Sequence, residues 1–356
     1  PGKTGRVPCP GQIIPPGPTV ARSPSPPNPL MDPPKQPARS LMAQLRQKGD
    51  ALRRGGKSAD NDLQVGLLPN KGSLGRNYRF IRRILLPQIF SKRGGETLRP
   101  DLATPGGPEF HVTWIGHASW LIQTEGVNVL VDPVWANWLG IVKRVRMPGL
   151  AIAELPPIHL VLVTHAHFDH LHVASLKQVA NGQPIIVPKG VGSLVKNRGY
   201  GEVVELEYWE QIACGPLTIT FTPSKHWGAR VVHDTHRGFG GFLIQNSAGR
   251  TVFHCGDSAY FEGFTRIGES AGIDLAMMPI GAYDSMSGRE VHMNPEEALT
   301  AFTDLGAKHM MPMHYGTFPL GGEPMHEPLE RLHSTAAERD LTKNVTVPDE
   351  GQPGIF

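Results

Sequence analysis

The sequence predicts an α/β protein in which two mixed β-sheets pack face to face with helices on the outside. Three observations lead there. Short apolar runs rich in β-branched residues recur between His111 and Met313, several of them as consecutive pairs. Helical patterns are interspersed among these strands, which suits sheets covered by helices. The polar residues capable of chemistry stand directly after the apolar runs, where strand ends open to solvent.

Residues 1–40 read as a disordered tail, because Pro24, Pro26, Pro27, Pro29, Pro33 and Pro34 recur with few aromatic or β-branched residues between them. Residues 41–110 read as a basic extension that packs on the core or on a membrane, with a short helix over Met42–Arg54. Inside it, Asn77–Phe90 mixes basic with apolar residues. It suits an amphipathic segment on a membrane or a strap on the body, and the strap is preferred.

The globular body is placed at 111–345. Val112–Gln123 and Val127–Asp132 read as a strand pair across Glu125-Gly126. Leu160–Val163, Pro184–Pro188, Val203–Leu206, Leu217–Thr222 and Leu275–Pro279 read as further strands, as does His309–Met313. Phe242–Gln245 and Thr251–Cys255 pair across Ser247-Ala248-Gly249. Helices are expected over Val173–Ala180, Val191–Arg198, Pro295–Asp304 and Glu327–Asp340. The third has the clearest start: Asn294 as N-cap, Pro295 in the first helical position and Glu296-Glu297 in the first turn.

Composition narrows the class. The 356 residues are 39% hydrophobic and 19% charged, enough for one large domain or two small ones with a substantial core. A net charge of +3 is too weak a bias to argue for nucleic acid, and none is expected as a partner. The three cysteines, Cys9, Cys214 and Cys255, cannot build a disulfide framework, so a reducing or redox-indifferent setting is expected. No apolar run reaches the roughly 18 residues of a membrane span. The expected location is cytoplasmic, with membrane association left open. The start at Pro1 leaves room for an upstream targeting segment.

The strongest signal is Thr164-His165-Ala166-His167-Phe168-Asp169-His170, directly after the apolar Leu160–Val163. Three imidazoles and a carboxylate this close are awkward to bury without a cation. Later strand ends add His226 after Thr222, Asp257 after Gly256, and His314 after Met313. His165, His167, Asp169, His170, His226, Asp257 and His314 make seven candidate ligands, too many for one tetrahedral ion and suited to two. Imidazole with carboxylate and no thiolate suits Zn²⁺ best, with Mn²⁺ or Fe²⁺ as alternatives. Two such ions make hydroxide available near neutral pH, which suits hydrolysis of phosphodiesters, esters or lactones.

At these residues the chain resembles the metallo-β-lactamase superfamily, whose His-x-His-x-Asp-His motif is met by His165, His167, Asp169 and His170. The flanking segments Trp114-Ile115-Gly116-His117, Lys225-His226-Trp227, Gly256-Asp257-Ser258, His292-Met293-Asn294-Pro295 and His314-Tyr315-Gly316 are similar to the N-acyl-phosphatidylethanolamine-hydrolysing phospholipase D branch and its bacterial relatives. The resemblance covers about 111–330. It implies a four-layer αβ/βα sandwich and two zinc ions, one on His165, His167 and His226, the other on Asp169, His170 and His314, with Asp257 between them. It also implies His292 near the substrate phosphate. The chain departs from the branch at Ser258-Ala259, where Thr-Gly is usual, and at Phe239, near where Trp is common.

The function expected from these readings is a zinc-dependent hydrolase in which a hydroxide bridging the metals attacks phosphorus in N-acyl phosphatidylethanolamine-like lipids. A lactonase or carboxylic ester hydrolase on the same centre is the alternative, and a non-catalytic metal-binding protein a further one. Asp169, Asp257 and His292 are the candidate catalytic groups. His117 and Tyr283 are the candidate substrate contacts, although a structural role for His117, satisfying a backbone carbonyl, is preferred. The expected partners are a small-molecule or lipid substrate and a peripheral membrane contact.

Overall fold

The computed structural model describes residues 81–230, 234–284 and 290–356; the readings for residues 1–80, including the proline-rich tail and the Met42–Arg54 helix, lie outside the described residues. A π-helical turn, Ile81–Leu85, leads into α1, Leu86–Phe90. β1 (His111–Gly116), β2 (Ser119–Thr124) and β3 (Val127–Val131) form a meander. β4 (Trp138–Leu139) and β5 (Val142–Lys143) form a separate ribbon. β6 (Leu160–Leu162), α2 (Val173–Val179), β7 (Ile185–Pro188), α3 (Gly192–Val195) and β8 (Val203–Leu206) then alternate. They are followed by β9 (Gln211–Cys214), β10 (Leu217–Thr222), β11 (Gly241–Gln245) and β12 (Thr251–His254). The chain ends with α4 (Gly263–Ser270), β13 (Leu275–Pro279), α5 (Pro295–Asp304), β14 (His309–Met313), α6 (Glu327–Glu338) and β15 (Pro353–Ile355).

Two mixed sheets result, ordered β15-β1-β2-β3-β6-β7-β8 and β14-β13-β12-β11-β10-β9. Parallel pairing joins β3, β6, β7 and β8 in the first, and β12, β13 and β14 in the second. The period-two alternation of the first sheet's strands explains why it is covered on both faces. Trp120, Ile122, Val129, Val131, Leu160 and Leu162 point into a core shared with Phe221, Phe242, Ile244, Phe253 and Met277 of the second sheet. Their neighbours Leu121, Leu130, Val161 and Val163 point the other way, onto Leu176 and Val179 of α2 and Val195 of α3. Phe264, Phe302 and Leu332 bring α4, α5 and α6 into the shared core, completing a four-layer α/β sandwich. The capping box expected at α5 is formed, with Asn294 accepting from the Glu297 backbone and Glu297 from the Asn294 backbone.

Four features differ from the sequence reading. The run Val112–Gln123 is not one strand: it turns at Gly116 and His117, whose φ angles are +124° and +56°. Gly116 and Ser119 are the only local hints of that bend, because the buried backbone is satisfied from far along the chain. The His117 amide donates to Thr317 Oγ1 at 2.8 Å, and the His117 carbonyl accepts from His314 N and Trp114 Nε1. α4 was missed because Gly263 and Gly268 depress helix propensity. A Cβ at Gly268 would fall 2.2 Å from the Leu305 carbonyl, so close packing on α5 requires the glycine. The short β4–β5 ribbon and β9 had no distinct pattern. The fold also continues past residue 345, since Ile355 pairs with His111 and β15 closes the edge of the first sheet.

Candidate metal centre

β6 delivers the His-x-His-x-Asp-His loop, and its neighbour β3 supplies the residue that shapes it. Asp132, fully buried and at φ +44°, follows β3 directly. Its Oδ1 accepts from Thr164 N at 2.7 Å, and its Oδ2 accepts from Thr164 Oγ1 at 2.7 Å. The same Oδ2 lies 2.7 Å from His170 Nδ1, which directs His170 Nε2 inward. Arg230 closes the far side of the loop, its Nη1 donating to the carbonyls of Ala166 at 2.6 Å and Leu171 at 2.9 Å. Sequence reasoning missed both residues. Asp132 was seen only as a strand end, and nothing local ties Arg230 to a loop some 60 positions earlier.

Other strand ends bring the remaining groups. His226 follows β10, Asp257 follows β12 and His314 follows β14. His226 Nδ1 donates to the Val291 carbonyl at 2.9 Å, leaving Nε2 as the free lone pair. His165, His167, His226 and Asp257 offer ligand atoms within 4.8 Å of one another, and so do His117, Asp169, His170 and His314. Asp257 Oδ2 stands between these sets, 3.7 Å from His165 and His226 Nε2, 3.2 Å from His170 Nε2 and 3.1 Å from His314 Nε2. Asp169 Oδ2 is 3.3 Å from His314 Nε2 and 3.6 Å from His170 Nε2.

His292 is also brought in: it is buried, its Nε2 is 3.6 Å from Asp257 Oδ2, and its ring stacks on His314 at 5.7 Å. His117 uses its backbone as the bend of a turn, but its ring does more. Nε2 lies 2.9 Å from Asp169 Oδ2, and the ring centroid is 4.0 Å from that of His314. Tyr283 is not brought in. Its hydroxyl donates to Glu327 Oε1 at 2.7 Å and its ring lies under Arg331, so both contacts tie it to α6 instead of the histidines.

Burial and charge set the protonation of the cluster. Burial holds His165 and His226 well below the usual imidazole value, and lowers His167 to about 4. Burial, with His314 nearby, lowers His117 to about 3; its short contact with Asp169 is therefore a hydrogen bond from a neutral ring, not an ion pair. For His170 burial acts downward, but Asp257, Asp169 and Asp132 outweigh it and raise the group well above normal. His314 is raised to about 9: burial again opposes, and Asp257 and Asp169 prevail. Burial works to raise Asp169 and Asp257, yet His170 and the other imidazoles hold both well below the usual carboxylate range.

This donor set fits divalent cations. His167 Nδ1 faces His165 Nε2 at 2.9 Å and His226 Nε2 at 3.2 Å, three ring nitrogens that cannot all be satisfied by one another. His170 Nε2, His314 Nε2 and Asp257 Oδ1 are buried without a hydrogen bond of acceptable geometry. Unsatisfied buried groups of this kind are rare and costly, and a cation at each set would satisfy them. Cys255 offers no thiolate: burial raises its pKa well above normal.

Comparison with known proteins agrees with the fold. The family described as "Beta-lactamase superfamily domain" matches residues 127–315, more than half of the chain. The chain is 33% identical over 266 residues to an uncharacterized protein of Mycobacterium tuberculosis, covering 71% of this chain and 70% of that one. It is 33% identical over 256 residues to the N-acyl-phosphatidylethanolamine-hydrolyzing phospholipase D 1 of Caenorhabditis elegans, covering 66% and 72%. It is 32% identical over 245 residues to a UPF0173 metal-dependent hydrolase of Rubrobacter xylanophilus, covering 67% and 94%. Among solved structures, Igni18, a metallo hydrolase of Ignicoccus hospitalis, superposes with a TM-score of 0.55 at 24% identity, over 70% of this chain and 98% of that one. CmlA, a diiron β-hydroxylase of Streptomyces venezuelae, gives 0.55 at 20% identity, over 71% and 54%.

Proposed function

The chain belongs to the beta-lactamase superfamily domain family and is a metal-dependent hydrolase, and from that premise we propose that it cleaves phosphodiesters of the N-acyl phosphatidylethanolamine type, releasing a phosphatidic acid and an N-acylethanolamine. The observation that carries the reading is the placement of Asp257. One carboxylate oxygen stands 3.1–3.7 Å from imidazole nitrogens of five histidines supplied by four separate segments, with the second carboxylate, Asp169, beside two of them. The likeness to a named phospholipase D over 72% of that protein supports the substrate class.

We assign His165, His167 and His226 to one zinc and Asp169, His170 and His314 to the other, with Asp257 between. When bound, two zinc ions supply Lewis acidity, lowering the pKa of a water and neutralising phosphate oxygens. The chain's own groups do the rest. Asp257 and Asp169, both ionised, accept hydrogen bonds from the attacking water and aim its lone pair. A new bond from the water oxygen to phosphorus forms as the bond to the N-acylethanolamine oxygen breaks, and that oxygen leaves with a proton. His292 Nδ1 is buried with no partner, which leaves it free to donate to a phosphate oxygen.

The test is metal analysis of the purified chain followed by a hydrolysis screen of N-acyl phosphatidylethanolamine, simple phosphodiesters, lactones and carboxylic esters. The proposal expects two zincs per chain and turnover of the phosphodiesters. Manganese or iron in their place would correct the metal. Turnover confined to lactones or esters would replace the substrate class, and turnover of nothing by the loaded protein would leave a metal-binding protein.

A further inference from the structure

Large apolar side chains left in water mark surfaces that meet something else. Among the described residues nine are exposed, and all but one stand on three segments, 81–90, 138–147 and Phe168; the exception is Ile355. Phe90 is 84% exposed and Ile141 69%, with Leu86 and Trp138 also open. α1 therefore shows apolar side chains to solvent, while Leu85 just before it is buried. A strap packed for stability would do the reverse.

The first two segments are clasped together. Lys143 Nζ donates to the carbonyls of Ile89 at 3.0 Å and Ser91 at 2.6 Å, either side of Phe90. The Lys143 ammonium also lies 6.0 Å from the Trp138 ring centroid. Gly94 pairs with Arg146, and Arg93 Nε donates to the Arg144 carbonyl at 3.1 Å. Charge leans one way: residues 81–95 and 133–153 contain no Asp or Glu, and although Arg146 pairs with Glu350 from outside them, Arg82, Lys92, Arg93 and Lys143 form no ion pair among the described residues.

This platform reaches the metal centre through one layer of packing. Leu139 and Val142 of the ribbon pack with Phe318 and Leu320, and the Phe318 ring meets His117 edge-on at 5.3 Å. Phe168, half-exposed, stands between His167 and Asp169 in the ligand loop, with the Arg230 guanidinium 4.1 Å above its ring.

We propose that α1 and the β4–β5 ribbon form a docking surface for an anionic phospholipid membrane, which seats Phe90, Trp138 and Ile141 at the headgroup level beside the metal centre. The choice of occupant follows from the pairing of apolar and aromatic side chains with a surplus of unpaired cations, which complements acidic headgroups over an apolar interior. A second copy of this chain would bring the same uncompensated cations together. The inference takes its purpose from the lipid reading above, but its test does not depend on that reading.

The test is co-sedimentation of the full chain with vesicles that contain no N-acyl phospholipid, made of phosphatidylcholine with or without phosphatidylglycerol. Binding is expected only with phosphatidylglycerol and should weaken as salt rises. Phe90→Asp with Ile141→Asp should lower partitioning roughly tenfold or more. Lys92→Gln should lower it about fivefold, and Ile355→Asp should leave it unchanged. Hydrolysis of a soluble phosphodiester, measured on the same proteins, should not move, which separates failed docking from failed chemistry. The proposal is overturned if the parent chain ignores anionic vesicles, or if the double variant binds them as well as the parent. It is equally overturned if the double variant only shifts the oligomeric state.

Discussion

The imidazoles on the two sides of Asp257 live in opposite electrostatic settings. On one side burial prevails, and His165, His167 and His226 stay neutral with lone pairs ready for a cation. On the other, three carboxylates prevail over burial, and His170 and His314 hold protons where a metal would otherwise sit. His117 shares that second side but is neutral, as a donor to Asp169. The two halves of the centre therefore differ in what an incoming cation meets: neutral ring nitrogens on the first, protons on the second. Two of the carboxylates that keep the second half protonated, Asp257 and Asp169, are the same ones that would hold the metal.

The largest expected effect removes the group the halves share. Asp257→Asn keeps the shape but takes away the charge within 3.7 Å of five imidazoles. Both halves should lose affinity, and turnover should drop on the order of 10²-fold or more. Metal content by mass spectrometry and steady-state rates check this. Full loading with a normal rate would mean that Asp257 does not link the halves.

Proton displacement can be read directly. His314 is raised from 6.5 to about 9, so its interaction with Asp257 and Asp169 stabilises the metal-free fold fully below pH 6.5 and is lost as pH rises through about 9. The histidines held low by burial add nothing above pH 6.5, where they are neutral folded or unfolded. The melting temperature of the chelated protein should therefore fall between pH 7 and 9.5, while that of the zinc-loaded protein should fall less. Metal uptake near pH 7 should release protons, seen as a buffer-dependent heat of binding. A flat melting profile for the chelated protein would remove the contrast between the halves.

How far the sequence announced this centre depends on where each residue's partners lie. The His165–His170 loop was legible because its donors are packed into six positions after an apolar strand. His226, Asp257 and His314 were legible because each follows an apolar run. The sheets were legible from the alternation that sends Leu130 and Val131 to opposite faces. What stayed hidden depends on distant pairing. The β1–β2 bend is held by Thr317, 200 positions away. Arg230 acts on carbonyls 59 and 64 positions earlier. Tyr283 follows an apolar run as the ligands do, yet its hydroxyl turns to Glu327 on α6, which periodicity could not foretell.

Asp132 allows a one-sided test. It touches the second half directly, through His170 Nδ1 at 2.7 Å, and reaches the first only through Thr164, whose Oγ1 lies 3.0 Å from His165 Nδ1. Asp132→Asn removes the charge that orients His170 and supports its basicity. Affinity for one metal should fall about 10–100-fold, with the other metal weakened less. Competitive titration with a chromophoric chelator resolves the two steps. Equal weakening of both would show the halves to be one mechanical unit instead of two electrostatic ones.

The smallest effect should come from Asn294→Ala. Losing the capping box costs about 1 kcal/mol, a drop of roughly 2–4 °C in melting temperature. The cap lies two residues after His292, which stands near Asp257 and His314 without belonging to either four-residue set. If His292 serves the substrate, loosening this start of α5 raises KM for a soluble phosphodiester while both metals remain bound. If the variant instead releases a metal, His292 is a ligand, and the set Asp257, His292 and His314, whose ligand atoms also lie within 4.8 Å of one another, must replace one of the two four-residue sets.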